Sequence, residues 1–127
     1  MRLFDARWIG ALSMMLLLAS AHGGTPVGQV ARGKELYESR CTACHSLDHS
    51  RIGPAHRGVF GRRAGQVAGF EYSSALRGAR VTWTASSLDR WLTDPEAFIP
   101  GQKMGYSVPD AQDRADIISF LASPEAR

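Results

Sequence analysis

Two thiols three positions apart, followed at once by a histidine, constrain this chain more than any other feature: Cys41-Thr42-Ala43-Cys44-His45. Residues at i and i+3 lie on one side of a helical turn, so both sulfurs can reach the two vinyl groups on one edge of a haem. The adjoining histidine then points its imidazole at the iron from the proximal side. Cys-x-x-Cys-His is the pattern of covalent c-type haem attachment, and one haem c is the expected cofactor. Two other uses of the spacing compete. A thioredoxin-like redox pair needs a βαβ setting, and no strand pattern surrounds Cys41. Half of a zinc site needs further ligands at zinc-like spacing, for which His49 and His56 are poor substitutes.

The chain opens with a basic start, Met1 to Arg7, then an apolar run from Trp8 to Ala19 and the small residues Ala19-Ser20-Ala21. That order matches a secretory signal peptide cut after Ala21, so residues 1–21 are read as a leader and residues 22–127 as one domain. The apolar run falls short of the roughly 20 residues a spanning helix wants, which leaves an uncleaved anchor as the lesser alternative. Without residues 1–21 the domain holds 13 Lys and Arg against 11 Asp and Glu, a net charge of +2. Two haem propionates would cancel that charge, so nucleic-acid binding finds no support. A domain of this size has a modest core, and a haem would supply a large apolar filling. With both cysteines bonded to haem, no disulfide remains.

Along the domain the pattern is helical from about Gln29 to Arg40, with Val30, Gly33, Leu36 and Tyr37 on one face. Gly33 weakens such a helix by about 1 kcal/mol relative to alanine, which is either tolerated or reflects a close helix crossing. From Asp48 to Gly69, glycines and prolines punctuate a long stretch of loops that suits wrapping around something. A helical turn is expected near Tyr72 to Arg77. Thr84 can cap a helix through Leu88, Trp91 and Leu92 that Pro95 stops. Phe98 to Met104 reads as an extended loop, and Asp110 to Leu121 as the last helix, ended by Ser123-Pro124. The fold class is all-α, with four to five short helices and large loops.

The four methionines are Met1, Met14, Met15 and Met104, so only Met104 lies outside the expected leader. A lone methionine is ordinarily core filling. Met104, however, follows the rigid polar run Pro100-Gly101-Gln102-Lys103, which favours a thioether ligand opposite the histidine. His56 and then Lys103 are the next candidates for that position, while His49 sits too close to His45 in sequence.

Taken together these stretches resemble class I cytochromes c, the mitochondrial type and its bacterial relatives. The matching segments run in order along nearly the whole domain. They are Gly33 to Tyr37, Cys41 to His45, Gly53-Pro54, Gly58 to Gly65, Gly69 to Ser73, Thr82-Trp83, Asp94-Pro95, Ile99 to Met104 and Arg114 to Ile118. The resemblance implies the cytochrome c fold and thioether bonds at Cys41 and Cys44. It implies His45 and Met104 as axial ligands, and crossed first and last helices with Gly33 and Tyr37 meeting Ile117 and Phe120. It further implies that Arg62, Gln66, Tyr72, Ser73 and Trp83 surround the propionates, and that the Pro54 carbonyl orients the His45 ring. A carboxylate removed from water needs such donors.

This sequence also departs from the family pattern. The loop before Gly53-Pro54 is short. His56 stands where leucine is usual, as a buried neutral histidine or as a source of pH-dependent disturbance at the haem. Trp91 replaces a tyrosine beside the methionine, and Gln102 a threonine.

The function expected is a soluble, periplasmic, monomeric one-electron carrier, not an enzyme, because a six-coordinate iron leaves no open site. Its partners are membrane or periplasmic redox proteins met transiently at an exposed haem edge near Cys44, Lys103 and Tyr106, without stable membrane insertion. The rival readings are a dedicated acceptor or subunit of one dehydrogenase or oxidase, a haem-based sensor with an open sixth position, and a thiol oxidoreductase.

Overall fold

A computed structural model describes residues 23–127; the leader expected over residues 1–21 lies outside the described residues. Five helices follow in chain order: α1 (Val30–Arg40), α2 (Ser74–Gly78), α3 (Ala85–Thr93), α4 (Pro95–Phe98) and α5 (Ala111–Ala122). Among the described residues the only ladder-type pairing is an isolated antiparallel bridge between Arg63 and Thr82.

Local chemistry explains where the helices begin. Ser73, Thr84, Asp94 and Asp110 each accept a hydrogen bond from a backbone N–H in the first turn that follows, satisfying a donor that lacks an intrahelical partner. At α3 the cap is reciprocal, since the Ser87 hydroxyl also accepts from the Thr84 N–H. Pro95 ends α3 as expected, but it also opens α4. Asp94 caps the new turn and Pro95 takes its first position, where the missing N–H costs nothing. The extended loop expected from Phe98 is therefore entered from a helical turn.

Helix α1 has no side-chain cap of its own. Instead the N–H of Gln29 donates to Asp116 Oδ1 on α5 at 2.7 Å. Arg32 reaches Asp116 and Asp113, Arg40 reaches Asp113, and Gln112 Nε2 donates to Asp116 Oδ1 at 2.9 Å. Asp116 is fully buried at the start of α1, where a carboxylate also complements the helix dipole. Beside it, Gly33 lies so near α5 that an added Cβ would fall 1.9 Å from the Asp116 carbonyl oxygen. The glycine marks a close crossing, and Asp116 rather than Ile117 is its nearest neighbour. Tyr37 meets Phe120 at 5.3 Å between ring centroids. The crossing of α1 and α5 closes the fold, and α3 packs on the other side of α5.

Burial pushes the Asp116 pKa up, but the Gln29 N–H, Arg32 and Gln112 outweigh it and hold the carboxyl below its ordinary value. A depressed folded-state pKa contributes stability above the unfolded value of about 3.9, and that stability is lost as pH falls through the folded value. Asp116→Asn is accordingly expected to lower unfolding free energy at pH 7 by about 1–2 kcal/mol, the scale of a cap plus a charged hydrogen bond. In denaturant titrations the deficit should shrink towards pH 3.

A candidate haem-attachment site

The motif leaves α1 directly. Cys41 is the C-cap of α1, and the N–H groups of Cys44 and His45 both donate to the Cys41 carbonyl, at 3.1 and 2.8 Å. The turn brings both thiols onto one short segment, Cys41 half-buried and Cys44 exposed. Burial pushes the Cys41 thiol up to about 11. The attacking cysteine of a thiol oxidoreductase has the opposite shift, so Cys41 does not fit that role. Among the described residues no three His, Cys, Asp or Glu side chains converge as metal ligands.

His45 is buried, and its Nδ1 lies 2.8 Å from the Pro54 carbonyl oxygen. A carbonyl only accepts, so Nδ1 carries the proton. Burial lowers the His45 pKa, partly offset by this hydrogen bond, so the ring is neutral at neutral pH and Nε2 holds a free lone pair. Gly53 presses on the same ring, where an added Cβ would lie 2.2 Å from Cε1. Two thiols, a lone-pair imidazole nitrogen and a thioether form a donor set that fits a c-type haem.

Met104 is half-buried and packed against the hydrophobic core. Core packing is thus a stronger partial explanation for this methionine than its polar leader suggests. The loop delivering it is tied down by Glu96, a residue the sequence does not single out. Glu96 Oε1 accepts from the Gly101 N–H at 2.9 Å, and Oε2 from Gln102 Nε2 at 3.1 Å. After Met104, the Val108 N–H donates to the Leu92 carbonyl at 2.7 Å. Gln102 Oε1 is buried without a protein partner, as suits a position beside a polar group that the chain itself does not supply.

The residues expected around the propionates are dispersed over the loops. Trp83 is buried, and the pairing of residues 62–64 with residues 81–83 fixes its backbone. The Tyr72 hydroxyl accepts from the Val67 N–H at 3.1 Å, and the Ser73 hydroxyl caps α2. Gln66 is exposed. Arg62 donates to the carbonyls of Arg57 at 2.8 Å and Ala55 at 3.0 Å, bracketing His56.

His56 differs from expectation in two ways. Its ring stacks on His45, with centroids 3.9 Å apart and planes 20° apart. It therefore stands beside the proximal imidazole and cannot also be the ligand on the opposite face. Although part of its surface stays open, desolvation, then His45 and Arg62, lower its pKa well below the ordinary value. The neutral histidine is thus the favoured reading over a titration between pH 5 and 8.

These features together define a covalent c-type haem protein. The cytochrome c family model matches residues 30–124. Cytochrome c 2.1 of Caenorhabditis elegans is 38% identical over 105 residues, covering 80% of this chain and 95% of the relative. Cytochrome c2 of Rhodopila globiformis is 38% identical over 102 residues, covering 78% and 96%. Among solved structures, cytochrome cH from Methylobacterium extorquens superposes with a TM-score of 0.71 at 35% identity, covering 75% of this chain and 98% of that one. The chain belongs to the cytochrome c family of electron carriers, with the family's cytochrome c fold and one covalently attached haem c.

Proposed function

We propose that the protein is a soluble periplasmic carrier that moves single electrons between redox proteins. Its haem is bonded through Cys41 and Cys44 and ligated axially by His45 and Met104. The observation that carries this reading is the His45 ring, oriented through Nδ1 by Pro54, which leaves Nε2 as a lone-pair nitrogen on the residue directly after Cys44. When bound, the haem supplies Fe(II)/Fe(III) exchange. The chain's residues orient the ring, bring Met104 to the site on the loop tied to Glu96, and exclude water with the surrounding core. Arg62, Tyr72 and Trp83 are the proposed propionate neighbours. Arg62 has already committed two of its N–H groups to backbone, and its guanidinium carries five.

Residues 1–21 are proposed to be removed on export, and the domain to work as a monomer. No described helix is long and apolar enough to cross a membrane. Cys44, Lys103 and Tyr106 are exposed, and Tyr106 keeps 44% of its surface open, which suits brief docking over a small area.

Absorption spectra of the exported protein, oxidised and reduced, test the reading. A low-spin haem with a far-red sulfur–iron band is expected, together with haem staining that survives a denaturing gel. Replacing both Cys41 and Cys44 by serine should abolish that staining. A colourless product, or a high-spin reduced form, would overturn the proposal.

A further inference from the structure

The histidine stacked on the proximal imidazole is itself held from every direction the chain offers. Its backbone N–H donates to the Ser46 carbonyl at 2.9 Å, and its carbonyl accepts from the Val59 N–H at 2.8 Å. Arg62 grips the carbonyls on either side of it. Its Nδ1 forms a hydrogen bond with the Tyr37 hydroxyl at 3.1 Å, and the two rings tilt at 56° with centroids 5.7 Å apart. Tyr37 is 3% exposed and wedged against Phe120 where α1 crosses α5. A packed relay thus runs from the helix crossing through Tyr37 and His56 to the face of His45. Pro54 holds the Nδ1 edge of the His45 ring, and the Gly53 backbone packs near Cε1. A stacked neighbour restricts the ring further, because rocking would drive one ring into the other.

We propose that His56 and Tyr37 are positioning residues that set the plane of the His45 imidazole relative to the haem. The proposal rests on His45 being the proximal ligand. It assigns the pair a rotational role that the Pro54 hydrogen bond cannot fill alone.

In oxidised low-spin haem, the orientation of the axial imidazole, together with that of the opposite ligand, sets which iron d orbital holds the unpaired electron, and Met104 is the same in every variant compared. The spread and order of the four haem-methyl proton resonances therefore report the ring plane. The test is the proton spectrum of the oxidised holoprotein for the wild type, His56→Leu, His56→Phe and Tyr37→Phe at one pH. His56→Leu is expected to change the spread of the methyl resonances most. Tyr37→Phe, which deletes one hydroxyl and preserves the core, should shift them the same way by less. His56→Phe, which keeps a flat ring on His45 but loses the hydrogen bond to Tyr37, should shift them about as little as Tyr37→Phe does, and the exposed His49→Ala should match the wild type.

A folded His56→Leu protein with wild-type methyl resonances would overturn the proposal. So would a His56→Phe protein shifted as far as His56→Leu. Should His56→Leu not fold, Tyr37→Phe decides, and an unmoved pattern there counts against the pair. Failure of the underlying ligation looks different: the wild-type protein itself would lack a low-spin covalent haem.

Discussion

Met104→Ala should lower the reduction potential by a few tenths of a volt, well within the ~0.8 V range that axial ligands span in haem proteins. The same substitution should erase the far-red sulfur–iron band and open the reduced iron to rapid carbon monoxide binding. The reason is that no second thioether is at hand among the described residues. Met104 is the only methionine among the described residues, and His56 stands on the His45 side, stacked at 3.9 Å. A thioether favours the reduced iron, so its loss moves the potential down. Spectroelectrochemical titration with a carbon monoxide control checks both effects. A wild-type protein without the band, together with a variant of unchanged potential, would remove Met104 from the iron and make Lys103 the first residue to examine.

Gly33→Ala comes next in size. In an open helix this change would stabilise by about 1 kcal/mol. Here the new methyl would lie 1.9 Å from the Asp116 carbonyl oxygen and 3.0 Å from the Phe120 Cβ. The oxygen belongs to the backbone of α5 and cannot swing aside, so the helices must part along the network centred on Asp116. Overpacking of this kind costs about 1–3 kcal/mol, and a backbone obstacle puts it at the upper end. We expect a net loss of about 2 kcal/mol, read as a lower guanidinium midpoint followed by haem absorbance. A midpoint equal to or above the wild type would mean that the crossing is looser than the structure has it.

Much of the architecture is written in local chemistry. Gln29 to Arg40, Thr84 onwards and Asp110 to Leu121 are periodic, and the last two carry their own caps, so three helices can be located from sequence. The turn from Pro95 to Phe98 is harder to foresee. Proline signals a stop to the residue before it and a start to the residue after, and only the Asp94 side chain settles which reading holds. The attachment motif is likewise legible, because its three functional groups lie within five residues. What escaped is long-range. Nothing near His56 in sequence shows that it lies on His45, or that Tyr37, 19 positions away, holds its Nδ1. Glu96 looks like any exposed acid until its two oxygens are seen on the Gly101–Gln102 loop. The two backbone carbonyls that Arg62 holds, on either side of His56, are not signalled by its sequence neighbours.

Helices α1 and α5 stand at opposite ends of the domain, and that spacing imposes an order on biogenesis. Until residues 111–122 have been translocated, α1 has nothing to cross, and Gly33 and Tyr37 stay in water. Cys41, at the end of that helix, remains reachable throughout. Thioether formation thus meets a pliant chain, and the late-arriving residues 111–122 close the door behind the porphyrin. A polypeptide truncated before Ala111 should still accept its prosthetic group and fail only at the later task of holding it in a rigid, dry setting.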